Sequence, residues 1–487
     1  MLPSSIEVFS IWHVINTGEL GYDWVAIWHR FQGRYPFTFA DLSCPTMKLT
    51  SLLLKSTAVG ALGGLLFGFD TAVIAGTTHS LSLVFHLSPG ALGLTVSIAL
   101  WGTVTGSIVA GYAGQIQGSK RALRTMAILY VISALGCGLA WNWPSLVVFR
   151  FIGGLGIGGS SVLGPVYMAE LAPAKWRGRL VGLFQINVVV GVLLAYFSNY
   201  LLARLGLGAA EWRWQLGIAS IPALAFFFLL LRVPESARWS VSRNKIAEAM
   251  AVLRAMGSDD AAAEVASMRT SMGTAQTAGS EPLFQRKYLF PMFLAVSIGM
   301  FNQLTGINAI LYYLNDIFAA GGYSGISSAL QAVAVGFMNL VATLLAMTLI
   351  DRIGRKTLLL IGSVGMVIAL SGVAAVMFHR LPQRLLFPML ATYTFSFAFS
   401  QGAVIWVFIS EVFPTAVRSK GQGLGTSAHW IMNAIISGLF PLVASRSSAY
   451  PFVFFAAMMV VQFFVVLTVY PETKQLTLEE LQHRLGD

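Results

Sequence analysis

The stretch ELAPAKWR, residues 170–177, recurs in the second part of the chain as EVFPTAVR, residues 411–418. Two further pairs repeat in the same order at nearly the same separation: QIQGSKR at 115–121 with DRIGRKT at 351–357, and PES at 234–236 with PET at 471–473. Several matches at one separation indicate an internal duplication. The sequence therefore predicts two similar halves.

The composition is that of a membrane protein. Of the 487 residues, 56% are hydrophobic and 10% are charged, against roughly 25% charged in a typical soluble domain. Apolar stretches of about 20 residues, the length of a helix that crosses a bilayer, occur twelve times. We predict an all-α polytopic membrane protein with two pseudo-symmetric six-helix halves. The predicted spans, numbered 1 to 12, are 56–78, 91–114, 122–141, 146–169, 178–203, 214–232, 287–314, 326–350, 357–378, 386–410, 420–443 and 451–470.

The domain boundaries follow from these spans. We predict an N-terminal cytoplasmic extension at 1–55, a first bundle at 56–232, a cytoplasmic linker at 233–286, a second bundle at 287–470 and a cytoplasmic tail at 471–487.

Two of these segments lie outside the bundles. In the linker, apolar residues recur with helical spacing between Ile246 and Met256, which predicts a small helical domain rather than an unstructured connection. Residues 1–46 lack both a span and the pattern of a signal peptide. We expect this extension to be a dispensable tail, or Met47 to be the native start.

Positive charge gives the orientation. Lys and Arg are concentrated in the loops that follow spans 2, 4, 6, 8 and 10, and few occur in the other loops. The positive-inside rule therefore predicts a multi-pass protein of the cell membrane with both termini in the cytoplasm. The net charge of +11 favours contact with anionic lipid rather than nucleic acid.

Six ordered motifs resemble the sugar porter family of the major facilitator superfamily. They are RFIGGLGIGGSSVLGPVYMAELAPAKWRGRL (150–180), RVPESARW (232–239), NQLTGINAILYY (302–313), DRIGRK (351–356), ISEVFPTAVR (409–418) and YPETK (470–474). The resemblance implies the major facilitator fold and secondary active transport of a hexose or pentose, by proton symport with alternating access. A facilitative sugar or polyol uniporter and, less favoured, a non-transporting sugar sensor remain alternatives.

Other functional classes lack their motifs. GLGIGG (154–159) satisfies the dinucleotide pattern but lies in a predicted membrane helix, where glycines allow close helix packing. No P-loop, nucleophile with a base, or metal-ligand cluster occurs. We therefore expect no enzyme activity, no nucleotide partner and no cofactor, with the proton as coupling ion.

Polar and aromatic residues within spans 5, 7, 8, 10 and 11 are the candidate sugar ligands. Side-chain amides both donate to and accept from hydroxyls, and aromatic faces cover C–H patches. The alternative is that some of these groups only bridge helices. By resemblance, sugar-contacting positions of the family fall at Gln185, Gln303, Asn308, Asn339 and Trp406; we add Asn302, Tyr312, His429, Trp430 and Asn433.

Several positions depart from relatives. Asn302 replaces a longer Gln, Val192 is apolar where some relatives carry Gln, and Ala403 replaces a proline of span 10. His429 also stands where Gln or Asn is usual. The particular sugar therefore stays open.

One carboxylate, Asp70, lies in the interior of a predicted span. A charge at that depth costs about 2.5–3.5 kcal/mol, so the group must be paired or protonated. Arg150 is the predicted partner, and the resemblance supports proton coupling through this pair. A static ion pair is the alternative.

Charged residues recur at the predicted cytoplasmic ends of both halves. We predict that they form a gate that closes the inner side in the outward-facing state. The first half has fewer charges in QIQGSK than the second has in DRIGRK, which predicts a weaker contact. The gate residues are Glu170, Arg177, Glu235, Arg238, Asp351, Arg352, Arg355, Glu411, Arg418 and Glu472.

Overall fold

A computed structural model describes residues 50–172, 177–278, 281–414 and 417–474. Within these ranges the chain is helical, and no strand occurs. The expectations for residues 1–46 and for the end of the tail lie outside the described residues.

The first half contains the helices Ser51–Val73, Thr78–Phe85, Pro89–Gln117, Ser119–Gly138, Trp143–Leu171, Arg177–Arg204, Glu211–Gly217 and Ser220–Leu231. The linker contains Ala237–Ser242, Ile246–Ala255 and Ala261–Ala278. The second half contains Leu289–Leu304, Ile307–Tyr312, Leu314–Ala320, Gly325–Ile353, Arg355–Met377, Leu386–Phe399, Gln401–Glu411, Arg418–Ala444 and Tyr450–Thr468.

Twelve segments of the described chain are helical, long and apolar enough to cross a membrane, and they coincide with the predicted spans. Consecutive spans run in opposite directions. The loops after spans 2, 4, 8 and 10 therefore share one face, here called the basic face, and the loops after the odd-numbered spans form the opposite face.

Spans 7 and 10 are interrupted where the sequence places its polar residues. Span 7 breaks at Thr305 and at Gly306, whose φ of 83° suits glycine. Span 10 breaks at Ser400. The Tyr393 hydroxyl of span 10 donates to the carbonyl of Thr305 at 2.9 Å, so span 10 supplies a donor for a carbonyl at the break of span 7.

Glycines set the packing of spans 2 and 4. A Cβ on Gly154 would lie 1.9 Å from the carbonyl oxygen of Ala99, and one on Gly102 would lie 2.3 Å from that of Phe151. The backbones therefore touch directly. The GLGIGG segment has the packing role that the sequence predicts for it.

The opposite face is closed by contacts between the halves. Ala72, Ile74, Leu311 and Phe318 belong to one buried apolar cluster that contains residues of both halves. The Tyr196 hydroxyl of span 5 donates to the carbonyl of Leu311 in span 7 at 2.8 Å.

The three linker helices pack on one another around Ala237, Val241, Ala249, Leu253 and Val265. The apolar spacing seen in the sequence is thus used for packing between these helices. Their assignment to a separate cytoplasmic domain stays a prediction.

The packing of spans 2 and 4 gives a first prediction. Gly102→Ala should lower the free energy of unfolding in detergent by about 1–3 kcal/mol, because the added methyl group overlaps a backbone carbonyl. Gly111→Ala lies on the same helix with nothing within 4 Å of its Cβ, and should be neutral or stabilising. Equal unfolding temperatures for the two variants would contradict the close contact.

Candidate functional site

A polar cavity lies between the two halves, next to the breaks of spans 7 and 10. The first half contributes spans 1 and 5, and the second half contributes spans 7, 8, 10 and 11. Most of the predicted sugar ligands line it: Gln185, Asn302, Asn308, Asn339, Trp406, His429 and Trp430.

A hydrogen-bonded cluster forms the span 7 wall. Asn308 Nδ2 donates to Gln303 Oε1 at 3.0 Å, and Gln303 Nε2 donates to Asn302 Oδ1 at 3.0 Å. The same Nε2 lies 3.2 Å from His429 Nε2. Gln303 is 1% exposed, and its side chain links Asn302, Asn308 and His429, which line the cavity.

Four rings follow one another along the cavity. Trp406 and His429 have centroids 5.1 Å apart, and His429 and Trp430 lie 5.0 Å apart. Trp430 reaches Phe67 of span 1 at 5.5 Å. This row connects span 10 through span 11 to the first half, and offers apolar faces to a ligand that also carries hydroxyls.

Three predicted ligands are absent from the cavity lining in this conformation: Gln303, Tyr312 and Asn433. Gln303 lies behind the wall. Tyr312 and Asn433 are buried and contact each other, with Asn433 Nδ2 3.5 Å from the Tyr312 hydroxyl.

The cavity also contains residues that we did not predict, among them Phe67, Thr71 and Thr343. Phe67 and Thr71 flank Asp70 in the sequence. Since residues three or four apart share a helix face, Phe67 could have been placed beside Asp70 from its spacing alone.

Asp70 and Arg150 lie together, as predicted. Arg150 Nη1 is 3.8 Å from Asp70 Oδ2, and the two side chains are 4% and 17% exposed. Arg150 Nε is buried without a hydrogen-bond partner in the described part of the protein. The ion pair is therefore longer than a hydrogen bond, and Arg150 Nε can still donate to another group.

The pair lines a second, smaller pocket that shares Phe67, Thr71 and Trp430 with the polar cavity. A ligand that contacts these three side chains is therefore separated from the pocket of Asp70 only by those side chains.

The acidic gate residues whose side chains the structure describes cap helices or contact residues of their own half. Glu235 Oε1 accepts from the Lys120 amide at 2.9 Å, and Glu472 accepts from the Arg355 and Lys356 amides at 2.9 and 3.1 Å. Each carboxylate thus binds the start of a helix at the same point of the repeat, where charge and helix dipole attract.

A second equivalent pair shows how the halves differ. Arg355 Nη2 donates to Glu411 Oε1 at 2.9 Å, whereas Glu170 accepts from the Ser119 hydroxyl at 2.9 Å. Ser119 occupies the position of Arg355 in the repeat, so an ion pair in the second half is replaced by a hydrogen bond from an uncharged hydroxyl in the first.

The remaining gate residues are basic or not fully described. Arg238 and Arg352 are exposed, and Arg418 Nε donates to the carbonyl of Phe413 at 3.3 Å. The side chains of Arg177 and Asp351 lie outside the described residues.

One functional candidate was missed. Asp316 follows predicted span 7, at the opposite face, and is half-buried. Burial raises the pKa of its carboxyl to about 6, although a hydrogen bond from Thr78 and the nearby His79 act to lower it. It also interacts with Tyr313. Its position just beyond the apolar run explains why hydropathy did not reveal it.

Comparisons with known proteins agree with this geometry. Residues 56–485 match the family model described as "Sugar (and other) transporter". The D-xylose-proton symporter of Escherichia coli (strain K12) is 36% identical over 471 residues, covering 89% of this chain and 96% of that relative.

Two solved structures of the E. coli xylose transporter XylE resemble the fold, and both cover 89% of this chain and 99% of theirs. The inward-open conformation gives a TM-score of 0.80 at 33% identity. The form bound to 6-bromo-6-deoxy-D-glucose gives 0.73 at 35% identity. The predicted fold class is confirmed.

Glu472→Gln should lower the free energy of unfolding by about 1–2 kcal/mol, because the amide loses the charge that attracts the helix N-terminus. Thermal unfolding in detergent measures this. The matched control is Glu281→Gln, at a carboxylate that lies outside the helices and pairs with Lys287, which should change stability by less than about 0.5 kcal/mol because exposed ion pairs contribute little. An equal loss of stability in both variants would contradict the capping role of Glu472.

Asp316→Asn should alter how stability depends on pH. Between the ordinary pKa of 3.8 and about 6, the folded protein keeps a proton on Asp316 that the unfolded chain has lost. Wild-type stability, relative to the variant, should therefore fall as pH rises through this window and then level off. Unfolding temperatures measured across the window check this, and parallel curves would contradict it.

Proposed function

This chain belongs to the family of sugar (and other) transporters, and on that premise we propose that it carries a monosaccharide across the cell membrane by proton symport with alternating access. The observation that carries the proposal is the Asp70–Arg150 pair, which is separated from the polar cavity only by shared side chains. Transport without proton coupling would not need a carboxylate at this depth.

The cavity suits a pentose or hexose. Asn302, Asn308 and Asn339 offer amides from spans 7 and 8, and Gln185 offers one from the first half. Each amide can donate to and accept from a sugar hydroxyl, and the aromatic row covers the C–H faces. The D-xylose-proton symporter and the bromo-deoxyglucose complex point to the same class of ligand.

We propose that the basic face is cytoplasmic, with both termini on that side, because positive loops face the cytoplasm. The opposite face is closed by Tyr196 and Leu311, while Trp406, towards the basic face, is 37% exposed. The higher TM-score to the inward-open XylE structure supports the same assignment. The structure therefore represents an inward-facing state.

Coupling follows from the cost of an unpaired buried charge. In the outward-facing state Asp70 takes a proton from outside, and sugar binds against Phe67 and Trp430. The neutral carboxyl no longer holds Arg150, so span 1 can move as the opposite face closes. After release of sugar and proton to the cytoplasm, the pair reforms and the empty carrier returns.

The gate residues act in both states of this cycle. Glu235, Glu472 and the Arg355–Glu411 pair hold the ends of helices in place while the cytoplasmic side is open. We propose that the exposed Arg238 and Arg352 pair across the halves when it closes. Because Ser119 carries no charge, its contact with Glu170 weakens the first half of this gate and favours the inward-facing state.

Uptake of labelled D-xylose, D-glucose and other monosaccharides into proteoliposomes tests this function. An inward proton gradient should drive accumulation of the substrate above equilibrium. If one proton moves with each sugar, a pH difference of one unit across the membrane supports a ratio of about ten between the sugar concentrations inside and outside the vesicle.

Asp70→Asn should still exchange sugar across the bilayer but lose accumulation, because the amide cannot carry the proton. Asp259→Asn makes the same change at an exposed linker residue and should leave accumulation unchanged. Normal accumulation by Asp70→Asn would refute the coupling role. Sugar entry through the wild-type protein that does not depend on the proton gradient would instead favour a uniporter.

A further inference from the structure

Span 10 lines the polar cavity on both sides of its break. The segment before the break contributes Phe397 and Ala398, and the segment after it, Gln401–Glu411, contributes Gly402 and Trp406. The ring of Trp406 is one end of the aromatic row. The orientation of the second segment therefore sets the position of an aromatic wall of the cavity.

The residues at the break do not fix this orientation by themselves. Ser400 Oγ donates to the carbonyl of Ser396 at 2.6 Å, within the first segment, and does not cap the second. Ala403 stands where relatives have proline, and alanine leaves free the φ angle that proline would restrict. The second segment therefore depends on contacts with other spans for its orientation.

Two contacts join the second segment to span 12 or to its end. At the start of the segment, Gln401 Nε2 donates to Gln462 Oε1 of span 12 and lies 3.8 Å from Met459 Sδ. Further along, the ring of Phe408 stacks on that of Tyr470, just beyond span 12, with centroids 5.2 Å apart. Without the pair of amides, the segment is free to pivot about the Phe408 ring.

Stability alone does not account for these two amides. Gln401 and Gln462 are each 1% exposed, and Gln401 Oε1 is buried without a hydrogen-bond partner in the described part of the protein. A buried acceptor that lacks a partner costs free energy, whereas two apolar side chains of similar shape would not have this cost. The hydrogen bond between the amides therefore suggests a role in placing the segment.

We propose that Gln401 and Gln462 are positioning residues for the bound sugar. Their hydrogen bond holds the second segment of span 10 so that Gly402 and Trp406 stand against the ligand. Neither amide lines the cavity, so both act through the segment and not by touching the sugar. This inference rests on the proposed binding of a monosaccharide in the cavity.

Gln462→Leu tests the proposal, because it leaves the amide of Gln401 without its acceptor. Binding of D-xylose, or of the best substrate in the panel above, is measured by isothermal titration calorimetry in detergent. Sugar binding must then order the segment, which weakens affinity. The dissociation constant should rise about threefold to tenfold, the factor that one buried hydrogen bond supplies.

A double variant separates positioning from stability. Gln462→Leu alone should lower the unfolding temperature, because it leaves a buried amide unpaired. Adding Gln401→Leu removes that amide, so the unfolding temperature should return towards the wild-type value while the dissociation constant stays as high as in the single variant. Recovery of affinity together with stability would overturn the proposal.

Gln215→Leu in span 6 is the matched control. Gln215 is also 1% exposed, donates from Nε2 to Glu211 Oε1 at 2.8 Å, and has an Oε1 that is buried without a partner among the described residues. It lines neither the polar cavity nor the pocket of Asp70. Its variant should lose stability and keep the wild-type affinity for sugar.

Equal weakening of sugar binding in Gln215→Leu and Gln462→Leu would reduce the effect to a general loosening of the fold and overturn the inference. Wild-type affinity in both the single and the double variant would overturn it as well, while leaving the proposed transport intact. If the wild-type protein binds no sugar of the panel, the proposed function fails, and this inference fails with it.

Discussion

A carboxylate held within a membrane span must be paired or protonated, and the rest of the structure is arranged around that constraint. Asp70 lies 3.8 Å from Arg150, in a pocket that borders the polar cavity. An isolated charge there would cost several kcal/mol. Two low-energy states are open to the group, ion pair and neutral acid, and a movement of span 1 that favours one of them changes proton binding.

The fold places this pair where both halves act on it. Breaks in spans 7 and 10 direct amides and rings into the cavity, and the aromatic row ends at Phe67, one turn before Asp70. From the other side, Tyr312 of span 7 lines the pocket of the pair together with Thr71. Side chains that line the cavity and a side chain of span 7 therefore meet at a single turn of helix.

The sequence was sufficient for the spans, the halves and the Asp70–Arg150 pair, because these depend on hydropathy, repetition and the cost of buried charge. It could not separate residues that line the cavity from those behind it. Gln303 and Asn308 are alike in chemistry and flank the break at Gly306, yet Asn308 lines the cavity and Gln303 does not.

Other differences have similar causes. The acidic gate residues suggested arginine pairing in the outward-facing state; in this structure Glu235 and Glu472 accept from backbone amides, which a sequence pattern cannot display. Asp316 escaped notice because its burial comes from neighbouring helices, not from its own segment. The contacts Ser119–Glu170 and Arg355–Glu411 occupy equivalent places in the two halves, and only the three-dimensional structure shows this equivalence.

The most direct measurement is the luminal pH of proteoliposomes that contain a pH-sensitive dye and receive an inward gradient of sugar, with no pH gradient imposed. If sugar and proton share one cycle through Asp70, the lumen should acidify as sugar enters, and the acidification should require the sugar that the protein transports. Sugar entry at the normal rate with constant luminal pH would contradict the account.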